Sequence, residues 1–189
     1  MTSPPTIETP RLRLRPWQPE DLAWYAALRA DPEVSRFLGD GHPQSPSDAR
    51  AVFERTIAEW GRVGLGPWAV EDRFTRERVG YCGMPIWREG TSEEAVEIGY
   101  GYARDAWGRG YATEAGAAAM RWAFEVRGCE SMVALTWPEN VASQHVLAKL
   151  GFRRDGDVET QDGRRSFFRV SRADFEASPG FRSNRAPSD

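Results

Sequence analysis

An α/β domain with a mixed sheet covered by helices on both faces is the fold that three observations predict. Strand-like alternation occurs before, between and after the helical stretches of the chain. The helix starting near Gly110 confines Glu114, Arg121 and Glu125 to one stripe and fills most of the remainder with small residues, so it can lie close to a sheet. The chain has 189 residues, 40% of them hydrophobic and 28% charged, which is enough for one substantial core with an ordinary surface.

In chain order, "TIETPRLRLRPW" alternates Leu12 and Leu14 with arginines, predicting a strand with one wet face. "PEDLAWYAALRADPEV" reads as a helix with Pro19 in its first turn. "SPSDARAVFERTIAEWGRVG" reads as a second helix, with Ala49, Val52, Phe53, Ile57 and Trp60 on one face. "PWAVED" and "ERVGYCGMPIW" flank a polar turn and predict a hairpin, and "AVEIGYGY" predicts a further strand. The small-residue helix stops at Gly128, a position suited to left-handed backbone. "SMVALTW" is the next strand, and "NVASQHVLAKL" a fourth helix closed by Gly151. A hairpin around "TQDG" ends a single domain over 1–178, and 179–189 is predicted to be a disordered tail.

Several function classes are disfavoured by composition. A net charge of -3 speaks against a mainly nucleic-acid-binding protein. Cys82 and Cys129 are far apart and are read as buried thiols of a reducing cytosol. His42 and His145 are too few for a typical zinc or iron site, so no metal is expected. "MTSPPTIETP" lacks the pattern of a signal peptide, and no apolar run reaches membrane-spanning length. The expectation is a cytoplasmic protein with no nucleic-acid or membrane partner.

The chemistry concentrates in "EIGYGYARDAWGRGYATEA", where Gly108, Arg109 and Gly110 stand directly ahead of a helix. A helix N-terminus offers unpaired N–H groups and partial positive charge, and glycines let an anion approach them. The alternative is a tight strand-to-helix turn that binds nothing. The missing Gly-Lys-Ser/Thr excludes a P-loop, and Thr113 stands where a dinucleotide fingerprint has its third glycine.

Together with the following strand and "WPENVASQHVLAKLGF", this unit resembles the GNAT superfamily of acyl-CoA-dependent N-acetyltransferases. Within it, "ETPRLRLRPW", "EIGYGY", "WGRGYATEA" and the "KLGF" ending are similar to the branch typified by Rim-type ribosomal-protein N-terminal acetyltransferases. The resemblance spans roughly residues 7 to 176, with four signals in the same order. It implies a mostly antiparallel central sheet and a cradle that holds the pyrophosphate of coenzyme A. The cradle's N–H groups would come from Trp107, Gly108, Arg109, Gly110, Tyr111 and Ala112, with the Trp107 ring left to packing. The superfamily pattern Q/R-x-x-G-x-G/A places Asp105 at its first position, a departure, since a carboxylate there repels phosphate unless it points away.

Asn140 matches the asparagine that holds the pantetheine arm, and is equally a favoured helix N-cap. Leu147 stands where many members carry a tyrosine that protonates the leaving thiolate. Ser143 matches the serine assigned that job in the Rim branch, and is otherwise a first-turn serine bonding the local backbone. Backbone N–H groups near Tyr100, Gly101 and Tyr102 would polarise the thioester and pair with pantetheine. Glu97 is the candidate base, set against a solvated or salt-bridged strand glutamate.

The implied reaction moves an acetyl group from acetyl-CoA to a primary amine, first among them a protein N-terminal α-amine. A small-molecule amine (polyamine, amino sugar or drug) and a non-catalytic acyl-CoA-binding module are the rival readings. The acceptor would be bounded by the first two helices, the loop "LGDGHPQSP" and the hairpin around "TQDGRRS".

Overall fold

The computed structural model describes residues 4–183. The chain runs β1 (Ile7–Glu8), β2 (Leu12–Arg15), α1 (Leu22–Ala30), α2 (Pro32–Ser35), α3 (Pro46–Val63), β3 (Pro67–Asp72), β4 (Arg78–Gly83), β5 (Ile86–Trp87) and β6 (Ala95–Val96). It continues through β7 (Gly99–Tyr102), α4 (Tyr111–Glu125), β8 (Ser131–Thr136), α5 (Val141–Lys149), β9 (Arg153–Thr160), β10 (Gly163–Ser171), α6 (Arg172–Glu176) and α7 (Pro179–Ser183). An antiparallel sheet in the order β1-β2-β3-β4-β7 and a second in the order β8-β10-β9 account for the predicted mixed, mainly antiparallel architecture.

Two predicted elements break where proline dictates. The first helix ends at Asp31, whose backbone is extended ahead of Pro32. Its side chain then accepts from Glu33 N at 2.9 Å and starts α2. "AVEIGYGY" is likewise two strands. β6 pairs with β5, whereas β7 pairs with β4. Pro85 lacks the N–H that would continue the β4 ladder, and its carbonyl accepts from Glu97 N at 2.9 Å. The next N–H, that of Ile98, donates to Val133 of β8 at 2.9 Å. This parallel contact ties the two sheets together.

α4 packs on one face of the larger sheet. Ala115, Ala117, Ala119 and Ala123 are fully buried, and at Gly116 an added Cβ would sit 2.9 Å from Leu150. At that point α4 packs closely against the Leu150 side chain at the end of α5. Trp60, Trp68 and Trp122 form an edge-to-face cluster, with ring centroids 4.7–5.6 Å apart. α1 and α3 cover the opposite face over Trp17, Tyr25, Phe53 and Ala69.

That coverage corrects the expectation of a wet face for β2. Arg15 is buried, its guanidinium bonded to Asp21 at 2.7 and 2.9 Å and to Glu71 at 2.6 Å. Arg78 bonds the same Asp21 carboxylate, so the segment leading into α1 is riveted to three strands. The predicted tail is also shortened, because residues 179–183 form α7. Phe181 packs edge-to-face on Phe175, and its carbonyl accepts from Arg121 at 3.0 Å. The remainder of the predicted tail lies outside the described residues.

Burial pushes the Asp21 carboxyl up, but bonds from Arg15, the Gln18 N–H and Arg78 outweigh it and hold the group below its ordinary value. Its stabilisation is therefore complete above the unfolded-state value of 3.8 and is lost as pH falls through the lower folded value. Asp21→Ala, which strands two arginines, should cost about 3–5 kcal/mol in urea unfolding at pH 7. The difference from the parent should shrink on acidification below about pH 4.

Candidate active site

Glu97 and Ile98, just ahead of β7, meet Val133 of β8 in a parallel bridge, the one backbone link between the two larger sheets among the described residues. Beyond that point β7 stays on β4 and β8 on β10, so the two strands part and open a crevice at their C-terminal ends. Two connected clefts occupy the gap. One, of about 450 Å³, runs along β7, the start of α4 and α5. The other, of about 970 Å³, extends beneath α1, α3 and the β9–β10 hairpin. Phe37, Leu38, Tyr100, Asn140 and Ser143 line both.

The smaller cleft collects Tyr100, Gly101, Tyr102, Trp107, Gly108, Gly110, Tyr111, Ala112, Asn140 and Ser143. Gly108 and Gly110 adopt φ of +73° and +79°, and Gly110 is an N-cap with no side-chain cap. The first N–H groups of α4 thus receive no side-chain cap. Asp105 is exposed and is not among the cleft-lining residues. Arg109 also departs from the expectation. It does not line the cleft, and its carbonyl is instead held by Arg11 Nη1 at 2.9 Å. Trp107 was expected to pack, yet it is half-exposed, with its Nε1 bonded to Tyr102 O at 2.8 Å.

Arg11 is a positioning residue that sequence reading passed over. Its Nε and backbone N–H bond the Glu114 carboxylate at 2.7 and 2.9 Å, and Thr9 Oγ1 donates to the same group at 2.6 Å. The β1–β2 turn thereby clamps the glycine loop onto the first turn of α4. Charges in "ETPRLRLR" signalled only a strand, because the partner lies about a hundred residues away.

Asn140 caps α5, its Oδ1 accepting from Ser143 N at 3.0 Å. Ser143 Oγ in turn lies 2.9 Å from the Tyr100 hydroxyl. Leu147 is buried in the core. Burial raises the Tyr100 pKa well above the ordinary tyrosine value, with the Ser143 bond opposing, and so keeps the phenol a neutral donor. Glu97 lines the larger cleft, and burial pushes its carboxyl up to about 7. Cys82 lies beneath this region as a buried thiol pushed up to about 12, whereas Cys129 is only half-buried.

Residues 11–153 match the model of the family described as "Acetyltransferase (GNAT) domain". The chain belongs to this family. It is 32% identical to the uncharacterized protein YkkB of Bacillus subtilis (strain 168), covering 80% of this chain and 87% of that protein. The crystal structure of an acetyltransferase from Agrobacterium tumefaciens str. C58 superposes with a TM-score of 0.78 at 29% identity, covering 91% of this chain and 97% of that one. The Mycobacterium smegmatis RimJ structure in complex with CoA-disulfide shares the fold, with a TM-score of 0.77 at 21% identity, covering 95% and 93%.

As a GNAT acetyltransferase the protein uses acetyl-CoA, and the smaller cleft fits that cosubstrate. Its uncapped helix start and two left-handed glycines suit a pyrophosphate. The open edge of β7 suits an amide-bearing arm, and Lys149 and His145 add cationic or polar groups from α5. No helix among the described residues is long and apolar enough to cross a membrane.

Coenzyme A at one hundred times its dissociation constant should stabilise the protein by about 2.7 kcal/mol. Gly110→Val places a β-branched residue at φ +79° beside Arg11 and should abolish that shift in a melting experiment. An unchanged shift would remove the glycine cradle from the binding site.

Proposed function

We propose that the protein acetylates a primary amine, with a protein N-terminal α-amine as first acceptor, using Glu97 as base and the Tyr100–Ser143 hydroxyl pair as the donor to sulfur. One observation carries this reading. Glu97, Tyr100 and Ser143 line the same cleft, and the latter two also line the cleft suited to acetyl-CoA. Acetyl-CoA supplies an activated carbonyl. The protein's tasks are to orient it, to free the amine lone pair and to help sulfur leave.

A carboxyl with a pKa near 7 is ionised often enough at neutral pH to take a proton from an ammonium, and basic enough to do so usefully. N–H groups on the open edge of β7 would donate to the carbonyl oxygen as it gains charge. As the C–N bond forms and the C–S bond breaks, the hydroxyl pair donates toward sulfur. Ser143 is half-buried and held by its own N–H, so the donor needs little reorganisation. The open, roughly 970 Å³ cleft supports an extended acceptor such as a peptide end, and a working rather than vestigial acceptor site.

Glu97→Gln should lower turnover by about 10²–10⁴ and remove the acidic limb that the parent shows near pH 7. The sign of the linked stability follows from the raised value. The favourable contribution is full below the unfolded-state value of 4.5 and is lost as pH rises through about 7. The same substitution should therefore flatten the parent's stability decline over that window, which urea titration checks without turnover.

Tyr100→Phe and Ser143→Ala should each reduce turnover toward the low end of about 10²–10⁴, because thiolate leaves readily. The double variant should be little worse than the poorer single one, since the two hydroxyls act as a unit. Full additivity in a double-mutant cycle would assign them separate roles.

A further inference from the structure

Among the described residues, six buried side-chain polar atoms lack a hydrogen-bond partner, and three of them line the acceptor cleft. They are Arg29 Nε, Gln44 Oε1 and Trp137 Nε1. Arg29 is the one that carries charge. It is 6% exposed, and its single side-chain bond is a long one, Nη1 to the Tyr81 hydroxyl at 3.5 Å. The contrast with Arg15 is instructive. That guanidinium is equally buried but is held by two carboxylates, whereas no ion pair reaches Arg29 among the described residues. The last turn of α1 offers Arg29 only about half a charge from the helix dipole.

A second arginine stands beside it. Arg165, also 6% exposed, lies 3.4 Å over the Trp137 ring and donates to Gly39 O at 2.9 Å. Arg29 Nη2 borders the same turn, 3.7 Å from where a Gly39 Cβ would sit. Arg165 feels Asp162 and Glu139, whereas no carboxylate is bonded to Arg29 among the described residues. A buried charge without a partner is unfavourable unless a ligand supplies one.

We infer that the acceptor cleft recognises a carboxylate on the amine substrate, bound by Arg29 with Arg165 alongside. A flat two-oxygen anion matches the fork of a guanidinium whose Nε is unused. The inference deepens the proposed function and rests on it for the amine. It narrows the acceptor to an amino acid, an acidic peptide N-terminus or another carboxylate-bearing amine.

The test uses matched acceptors that differ only in this group. These are α-amino acids against their amides, and short peptide amides beginning with Asp or Glu against those beginning with Asn or Gln. Each is measured twice, as kcat/KM for acetyl transfer and as a melting shift of the coenzyme A-bound protein. At least one carboxylate should exceed its amide about 10- to 100-fold in kcat/KM, with a larger melting shift. The ratio should fall to about 1 in Arg29→Gln. Arg29→Lys, which keeps the charge and loses the fork, should retain only part of it, and it decides the question if Arg29→Gln does not fold. If no amine is acetylated the proposed function fails, and the melting shifts still decide the role of Arg29. Equal binding of every carboxylate and its amide by the parent overturns the inference, as does a preference that survives in the Arg29 variants.

Discussion

The site depends on two parallel strands that share a single point of contact. Where Ile98 N–H reaches Val133 O, β7 and β8 behave as neighbours in one sheet. Past it each follows a different partner, and backbone groups that a continuous sheet would pair are left facing a crevice. The glycine loop, the start of α4 and the cap of α5 all lie around that crevice. One broken ladder thus opens both clefts and leaves Glu97 half-buried along the larger one.

The protein treats buried charge in two distinct ways. Around Asp21 the charges are matched and hydrogen-bonded, which anchors α1 over the sheet and forms a roof for the acceptor cleft. Within the larger cleft, half-buried Glu97 and buried Arg29 have no ion-pair partner among the described residues. The first arrangement favours one native geometry. The second leaves desolvated groups whose interactions await a substrate. Arg11 connects the two regimes, since the strand that carries Arg15 into the core also brings Arg11 onto the glycine loop.

Signals carried by neighbours in sequence were the legible ones. Gly110 and Gly151 mark helix boundaries through local backbone chemistry, and the structure starts α4 after the first and ends α5 ahead of the second. The spacing around Gly108 and Gly110 and from Asn140 to Ser143 singled out residues that the structure gathers along one cleft. Side-chain direction was less legible. Arg109 follows from the pattern as a cleft residue, yet its carbonyl is tied to Arg11 and it does not line the cavity. The strand through "AVEIGYGY" has a continuous pattern but no sign of its change of partner, because that change depends on Pro85 and Val133 meeting it from elsewhere.

By itself the sequence determined most of the elements and their order, the start of α4 after Gly110, the cap at Asn140 and the family to which these belong. Each of these depends on residues within a few positions of one another, where covalent geometry limits the choices. Only the tertiary structure decided that Tyr100 meets Ser143, that Arg11 clamps Glu114, that Asp105 is exposed and outside the cleft lining, and that no ion pair reaches Arg29 among the described residues. Those pairings join residues from about forty to a hundred positions apart. Their distance and burial are set by how sheets and helices pack, which no local pattern encodes.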